Sequence, residues 1–155
     1  MRGLGLLVLR FAIGIVFVAH GLPKLVPVWE TGPAQASALL EAAGVASAYP
    51  VTVGTGIVEV VAGSLLILGA YTAWVSVLLI ATTAVTSWVL NVSNGFPNWT
   101  SGSGVGHHIE FEFLQVAALV CLMLTGPGVL SYDTRRARVR ASKKNQKAEA
   151  KRRKT

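Results

Sequence analysis

Apolar residues fall in four long runs, at about 4–22, 51–70, 73–92 and 109–125, separated by stretches carrying glycine, proline and polar residues. A helix rises 1.5 Å per residue, so about 17 to 25 residues cross a hydrocarbon layer of ~30 Å. Each run meets or nears that length. The pattern predicts an all-α integral membrane four-helix bundle over residues 1–133. A soluble bundle with every helix fully buried is the weaker reading for four such runs in 155 residues. The first run resembles a secretory leader in position only: Arg10 interrupts it, and Val18-Ala19-His20-Gly21 offers no small-x-small cleavage site. It is expected to be a retained span.

Between the first two runs, Thr31-Gly32-Pro33 is a helix-start signal, followed by the alanine-rich stretch 34–43 and Gly44. This predicts a short interfacial helix at about 33–43. Pro50 is expected to close the loop and admit the second span.

Composition supports the membrane reading. Hydrophobic residues make up 52% of the chain and charged ones 14%, against about 25% charged in an ordinary soluble domain. Charge adds an orientation. Residues 1–134 carry a net −3 and residues 135–155 a net +10, so the overall +7 belongs to the tail. With four spans both ends share one side, and the positive-inside rule makes both termini cytoplasmic. Trp29, Tyr49, Trp88 and Trp99 then mark the outer boundary, and Tyr71, Trp74 and Tyr132 the inner one. The tail, 134–155, reads as a disordered basic segment. It lacks aromatic residues for base stacking, so its expected partner is anionic membrane lipid and not nucleic acid.

Ionisable groups inside a bilayer are costly and are functional candidates by default. Arg10, His20 and Glu59 are the three in the spans. Arg10, Gly14, Phe17 and Gly21 recur at helical spacing, with His20 alongside and Lys24 one turn on; Gly56, Glu59 and Gly63 share a face of the second span. Measured from each helix's own cytoplasmic end, Arg10 is about 9 Å and Glu59 about 16 Å deep, within reach of a snorkelling guanidinium. An Arg10–Glu59 pair is therefore expected, either as a structural clasp or as part of a reactive site.

A second polar tier lies at the outer ends: His20, Asn91, and His107, His108, Glu110 and Glu112 at the entry to the fourth span. Glu110 and Glu112 are about 200° apart, so only one faces the bundle well. The HHxExE run fits no specific ligand set, and no metal site is predicted. Ser76, Thr83, Ser87 and Asn91 form a weakly polar stripe on the third span, read as helix packing. Cys121, the lone cysteine, excludes a dithiol centre within the chain and reads as a small hydrophobe.

Leu9-Arg10-Phe11, Gly14, Phe17, His20-Gly21-Leu22-Pro23-Lys24-Leu25, Glu59 with Gly63 and Gly69, Asn94-Gly95-Phe96, and Thr125-Gly126-Pro127-Gly128 with Ser131 and Asp133 resemble the DoxX family of small bacterial membrane proteins. The resemblance spans residues 4–133 and implies a four-helix membrane bundle in the bacterial cytoplasmic membrane. It also implies association with membrane redox systems: the family is named after a subunit of an archaeal quinone-linked sulfur-oxidising system. Before the fourth span the family shows a Gly-Tyr-Glu-aromatic-Pro pattern. This chain has Gly106-His107-His108-Ile109-Glu110-Phe111-Glu112, with Glu110 where the family carboxylate falls.

The expected function is a quinone-linked or redox-complex membrane subunit. Glu59, Arg10, His20 and Glu110 are the candidate catalytic residues, and Phe17, Phe96 and Asn91 the candidate contacts to a quinone ring. Electrons would come from a partner protein or bound cofactor, with a homo-oligomer as the other assembly. The alternatives are a non-catalytic assembly subunit and a small-solute transporter.

Overall fold

A computed structural model of the chain describes residues 2–27, 32–94, 109–128 and 131–152. These residues are helical almost throughout: α1 (Arg2–Gly21), a 3₁₀ turn (Leu22–Lys24), α2 (Pro33–Ala42), α3 (Ala48–Leu68), α4 (Thr72–Asn94), α5 (Ile109–Thr125) and α6 (Tyr132–Arg152). Gly3–Lys24, Ala48–Leu68 and Thr72–Val89 are long and apolar enough to cross a membrane, and Phe111–Thr125 is a shorter apolar helix. α3 packs on α1 and α4, α5 on α4 and α1, and α2 lies against α3 and the 3₁₀ turn.

Which faces are buried decides the solvent. The hidden stripes recur at helical spacing: Arg10, Gly14, Phe17 and Gly21 on α1; Thr52, Gly56, Glu59, Gly63 and Leu66 on α3; Thr72, Ser76 and Leu79 on α4; Gln115, Leu119 and Leu122 on α5. The outward faces are apolar too, with Phe11 and Ile15 on α1, Ile57 and Val61 on α3, and Phe113 and Leu114 on α5. On α4, Trp74 is 78% and Trp88 68% exposed. A water-facing bundle would reverse this arrangement, so the outward surface is suited to lipid. Cys121 is exposed on that surface.

The contact between α1 and α3 is built on small residues in antiparallel register. A Cβ on Gly14 would stand 2.8 Å from the Gly63 carbonyl oxygen, and one on Gly63 2.9 Å from that of Gly14. One helix turn pair further along, a Cβ on Gly21 would stand 2.9 Å from the Gly56 oxygen. The backbones touch where side chains would otherwise hold them apart, which suits association in lipid, where packing replaces the hydrophobic drive. Phe17, Ala62, Leu66, Val75, Leu79, Leu119 and Leu122 fill the core beside this seam.

Two details depart from the sequence-based expectations. Pro50 lies in the first turn of α3, which begins at Ala48, because a first-turn proline forfeits no intrahelical hydrogen bond. The basic tail is helical over Tyr132–Arg152 and not disordered. Arg, Lys, Ala, Gln and Glu are good helix formers, and the start is capped: the Thr134 amide donates to Ser131 Oγ at 3.1 Å. From Arg135 to Gln146 every α6 side chain is exposed.

Candidate functional site

Two polar centres are buried against α1, one at each end of its contact with α3. At the first, Lys24 Nζ donates to Glu59 Oε1 at 2.6 Å. Glu59 is held between the seam glycines, since a Cβ on Gly21 would meet the Glu59 Cβ at 3.0 Å and one on Gly56 would meet the Lys24 Cβ at 2.8 Å. The residue is 7% exposed, and its second oxygen, Oε2, accepts no hydrogen bond among the described residues. Thr52 Oγ1, two turns earlier on the same face of α3, is likewise buried with no partner there. A carboxylate with one oxygen neutralised by an ammonium and the other open can accept a hydrogen bond or a proton from a small ligand or water.

The second centre joins α1 to the start of α6. Arg10, 1% exposed, donates from Nη1 to the Pro127 carbonyl at 2.6 Å, and the Asp133 carboxylate attracts it electrostatically. Gly69 ends α3 with φ +66°. A Cβ there would lie 2.6 Å from Ser131 Cβ and 2.8 Å from Arg10 Cζ, so both the turn and the guanidinium require glycine. Asp133 completes the junction. Its amide donates to the Gly69 carbonyl at 3.1 Å, while Oδ1 accepts from the Tyr71 amide and Oδ2 from the Thr72 amide, both at 3.0 Å. One residue thus closes the end of α3 and caps the start of α4.

The expected Arg10–Glu59 pair does not form, and Lys24 takes Arg10's place. Depth measured from each helix's own end misleads because α1 overhangs α3. The register of the glycines sets Arg10 level with the last turn of α3, about 12 Å from the height of Glu59. The interval of seven shared by Gly14 and Gly21 and by Gly56 and Gly63 was the available signal. Antiparallel pairing of those intervals brings Lys24 nearer than Arg10 to the carboxylate.

The remaining candidates scatter. His20 is exposed and not buried, with its ring 5.7 Å from that of Phe111 on α5 in an edge-on contact. Phe17 is committed to the core at 3% exposure and presents no face for a ring to stack on. The Asn91 and Glu110 side chains, and Phe96, His107 and His108 altogether, lie outside the described residues. Glu112 faces α4 and accepts a hydrogen bond from Ser87 Oγ, which ties part of the weakly polar α4 stripe to helix packing. Gln115, one turn along α5, is buried and was not singled out from the sequence.

Lys24→Met would leave the Glu59 carboxylate buried without its cation. It should cost about 2 kcal/mol, less than for a fully buried pair because Lys24 keeps 22% side-chain exposure. Adding Glu59→Leu should recover most of that loss. Thermal unfolding of the three variants in one detergent measures both steps, and an unchanged single mutant would show that the pair contributes nothing.

Among known proteins, the sequence model of one family, described as DoxX, matches residues 5–92, which hold Arg10, His20, Lys24 and Glu59. No curated protein and no solved structure matches the chain.

Proposed function

Because the chain belongs to the DoxX family, we propose that it is a quinone-linked subunit of a membrane redox complex, with the Lys24–Glu59 pair as its proton-handling site. The observation that carries this reading is the buried Glu59 Oε2, which accepts no hydrogen bond among the described residues beside a lysine already bound to Oε1. Leaving such an acceptor dry costs about 1–3 kcal/mol or more, a cost that a ligand hydroxyl would remove.

In this reading α5 is the fourth span and completes the bundle. The 11 Lys and Arg of residues 135–155 hold both termini on the cytoplasmic side of a bacterial inner membrane. The residues present fit a quinone headgroup: Glu59 Oε2 offers the acceptor and Lys24 Nζ the fixed cation. When bound, the quinone supplies the two-electron couple, and a partner protein supplies or removes the electrons. Lys24 orients the carboxylate, Glu59 Oε2 takes or returns the hydroxyl proton, and Thr52 Oγ1 offers a donor about 10 Å along the same face of α3. His20, four residues before Lys24, is exposed at that end of α1.

The second reading, a non-catalytic assembly subunit, is favoured by the same 2.6 Å contact, since a lone ion pair across a small-residue seam also fixes register. Purification from the native membrane, followed by absorbance and mass spectrometry of bound small molecules, separates the two. The redox reading expects near-stoichiometric quinone that falls at least tenfold in both Glu59→Gln and the folded Lys24→Gln/Glu59→Gln double variant. Phospholipid alone, with a stable protein partner and full function in the double variant, would establish the clasp instead.

A further inference from the structure

We propose that the groove where α3, α4 and α6 meet binds the phosphate headgroup of one anionic phospholipid. The groove encloses about 470 Å³ and is lined by Leu68, Ala70, Tyr71, Ser131, Tyr132 and Arg135. That volume falls within the ~300–1,000 Å³ usual for small-molecule sites. Its charge is positive and available. The Arg135 guanidinium has no hydrogen-bond or ion-pair partner among the described residues, whereas the two oxygens of the neighbouring Asp133 accept from the amides of Tyr71 and Thr72. Arginine presents donors in a planar fork suited to phosphate.

The wall is held in a costly shape. Tyr71 has φ +52°, an uncommon conformation for a bulky residue. Three contacts hold it: its amide donates to Asp133 Oδ1, its hydroxyl accepts from Arg136 Nη1 at 3.2 Å, and its ring lies 5.8 Å from the Arg136 guanidinium. Strain kept by several contacts fixes the Tyr71 ring as one side of the groove, with a second guanidinium beside it.

The surroundings select a lipid over a soluble anion. Leu68 is 64% exposed in the groove, and Trp74 is exposed one turn into α4, so an apolar surface runs from the groove along the spans. A phosphate at Arg135 would lay its acyl chains on that surface. A zwitterionic lipid would bring its ammonium toward two guanidinium groups, which disfavours it. The proposal rests on membrane embedding and is independent of the role of Glu59.

Native mass spectrometry of the full chain, released from bilayers mixing phosphatidylglycerol and phosphatidylcholine, tests it. One phosphatidylglycerol should be retained preferentially. Arg135→Gln should weaken its retention roughly tenfold, while Arg140→Gln, which removes the same charge five residues further along α6, should change it less than about twofold. Millimolar inorganic phosphate should not displace the lipid. Equal losses in the two variants would reduce the effect to general surface charge, equal retention of phosphatidylcholine would remove the headgroup preference, and displacement by phosphate would reassign the groove to a free anion. Each of these outcomes overturns the proposal.

Discussion

Replacing Gly63 by leucine is expected to force α1 away from α3 and destabilise the protein by about 3 kcal/mol or more, the upper part of the range for overpacking. The reason is what the new Cβ would meet: the Gly14 carbonyl oxygen at 2.9 Å, Phe17 Cβ at 3.1 Å and Val18 Cγ2 at 3.1 Å. A flexible side-chain end can rotate away, but a backbone oxygen moves only with its helix. Separating the helices would also part Lys24 from Glu59, so the unfolding transition and any ligand retention at Glu59 should fail together. Gly54→Leu is the matched control, because nothing lies within 4 Å of a Cβ there. Thermal unfolding in micelles followed by circular dichroism should separate the two by many degrees, and coincident transitions would show the glycine seam to be wrong.

Arg10→Met should be the most damaging change at the other centre, at about 3 kcal/mol, the upper end for losing a buried hydrogen bond from a charged group. It removes the donor to the Pro127 carbonyl and leaves the Asp133 carboxylate without the guanidinium that attracts it. Asp133 also joins α3, α4 and α6, so the loss should loosen the whole corner and not α1 alone. Limited trypsin digestion provides a local reading. Cleavage after Arg135 and Arg136, near the anchored start of α6, should accelerate several-fold in Arg10→Met. Cleavage at Arg140, Lys143 and Lys144, which are all exposed, should change little. Arg10→Lys keeps the charge and should retain part of the protection. Uniform acceleration along α6 would instead show that Arg10 does not anchor it.

The helices were legible because run length is a one-helix property. Expected limits of 4–22, 73–92 and 109–125 became Arg2–Gly21, Thr72–Asn94 and Ile109–Thr125, and the short helix at 33–43 became Pro33–Ala42. The faces were legible for the same reason, since Gly14 with Gly21 and Gly56 with Gly63 each repeat along one helix. Pairing across helices was not. Arg10 and Glu59 looked matched because each depth was counted from its own helix end, and nothing within α1 reveals that its first two turns overhang α3. The place of His20 in an apolar run implies burial, but its azimuth turns it outward against Phe111. The charge of the tail says nothing of propensity, and its backbone follows propensity and the Ser131 cap. Asp133 entered only through the family resemblance, since a capping role across three helices leaves no periodic trace in sequence.

Trp74 and Trp88 stand fourteen residues apart on α4, on nearly the same side and both highly exposed, which spaces the two indoles by about 21 Å along the helix. α5, at 17 residues, is about 25 Å long. A typical hydrocarbon layer of ~30 Å is thicker than either length. α1, α3 and α4, at 20, 21 and 23 residues, are about 30 to 35 Å long and match that layer, so a mismatch is confined to the side of the protein that α5 presents, at a fraction of a kcal/mol per Å. A bilayer around this chain would then be thinned on one flank only, beside α5, and left at its ordinary thickness along α1 and α3.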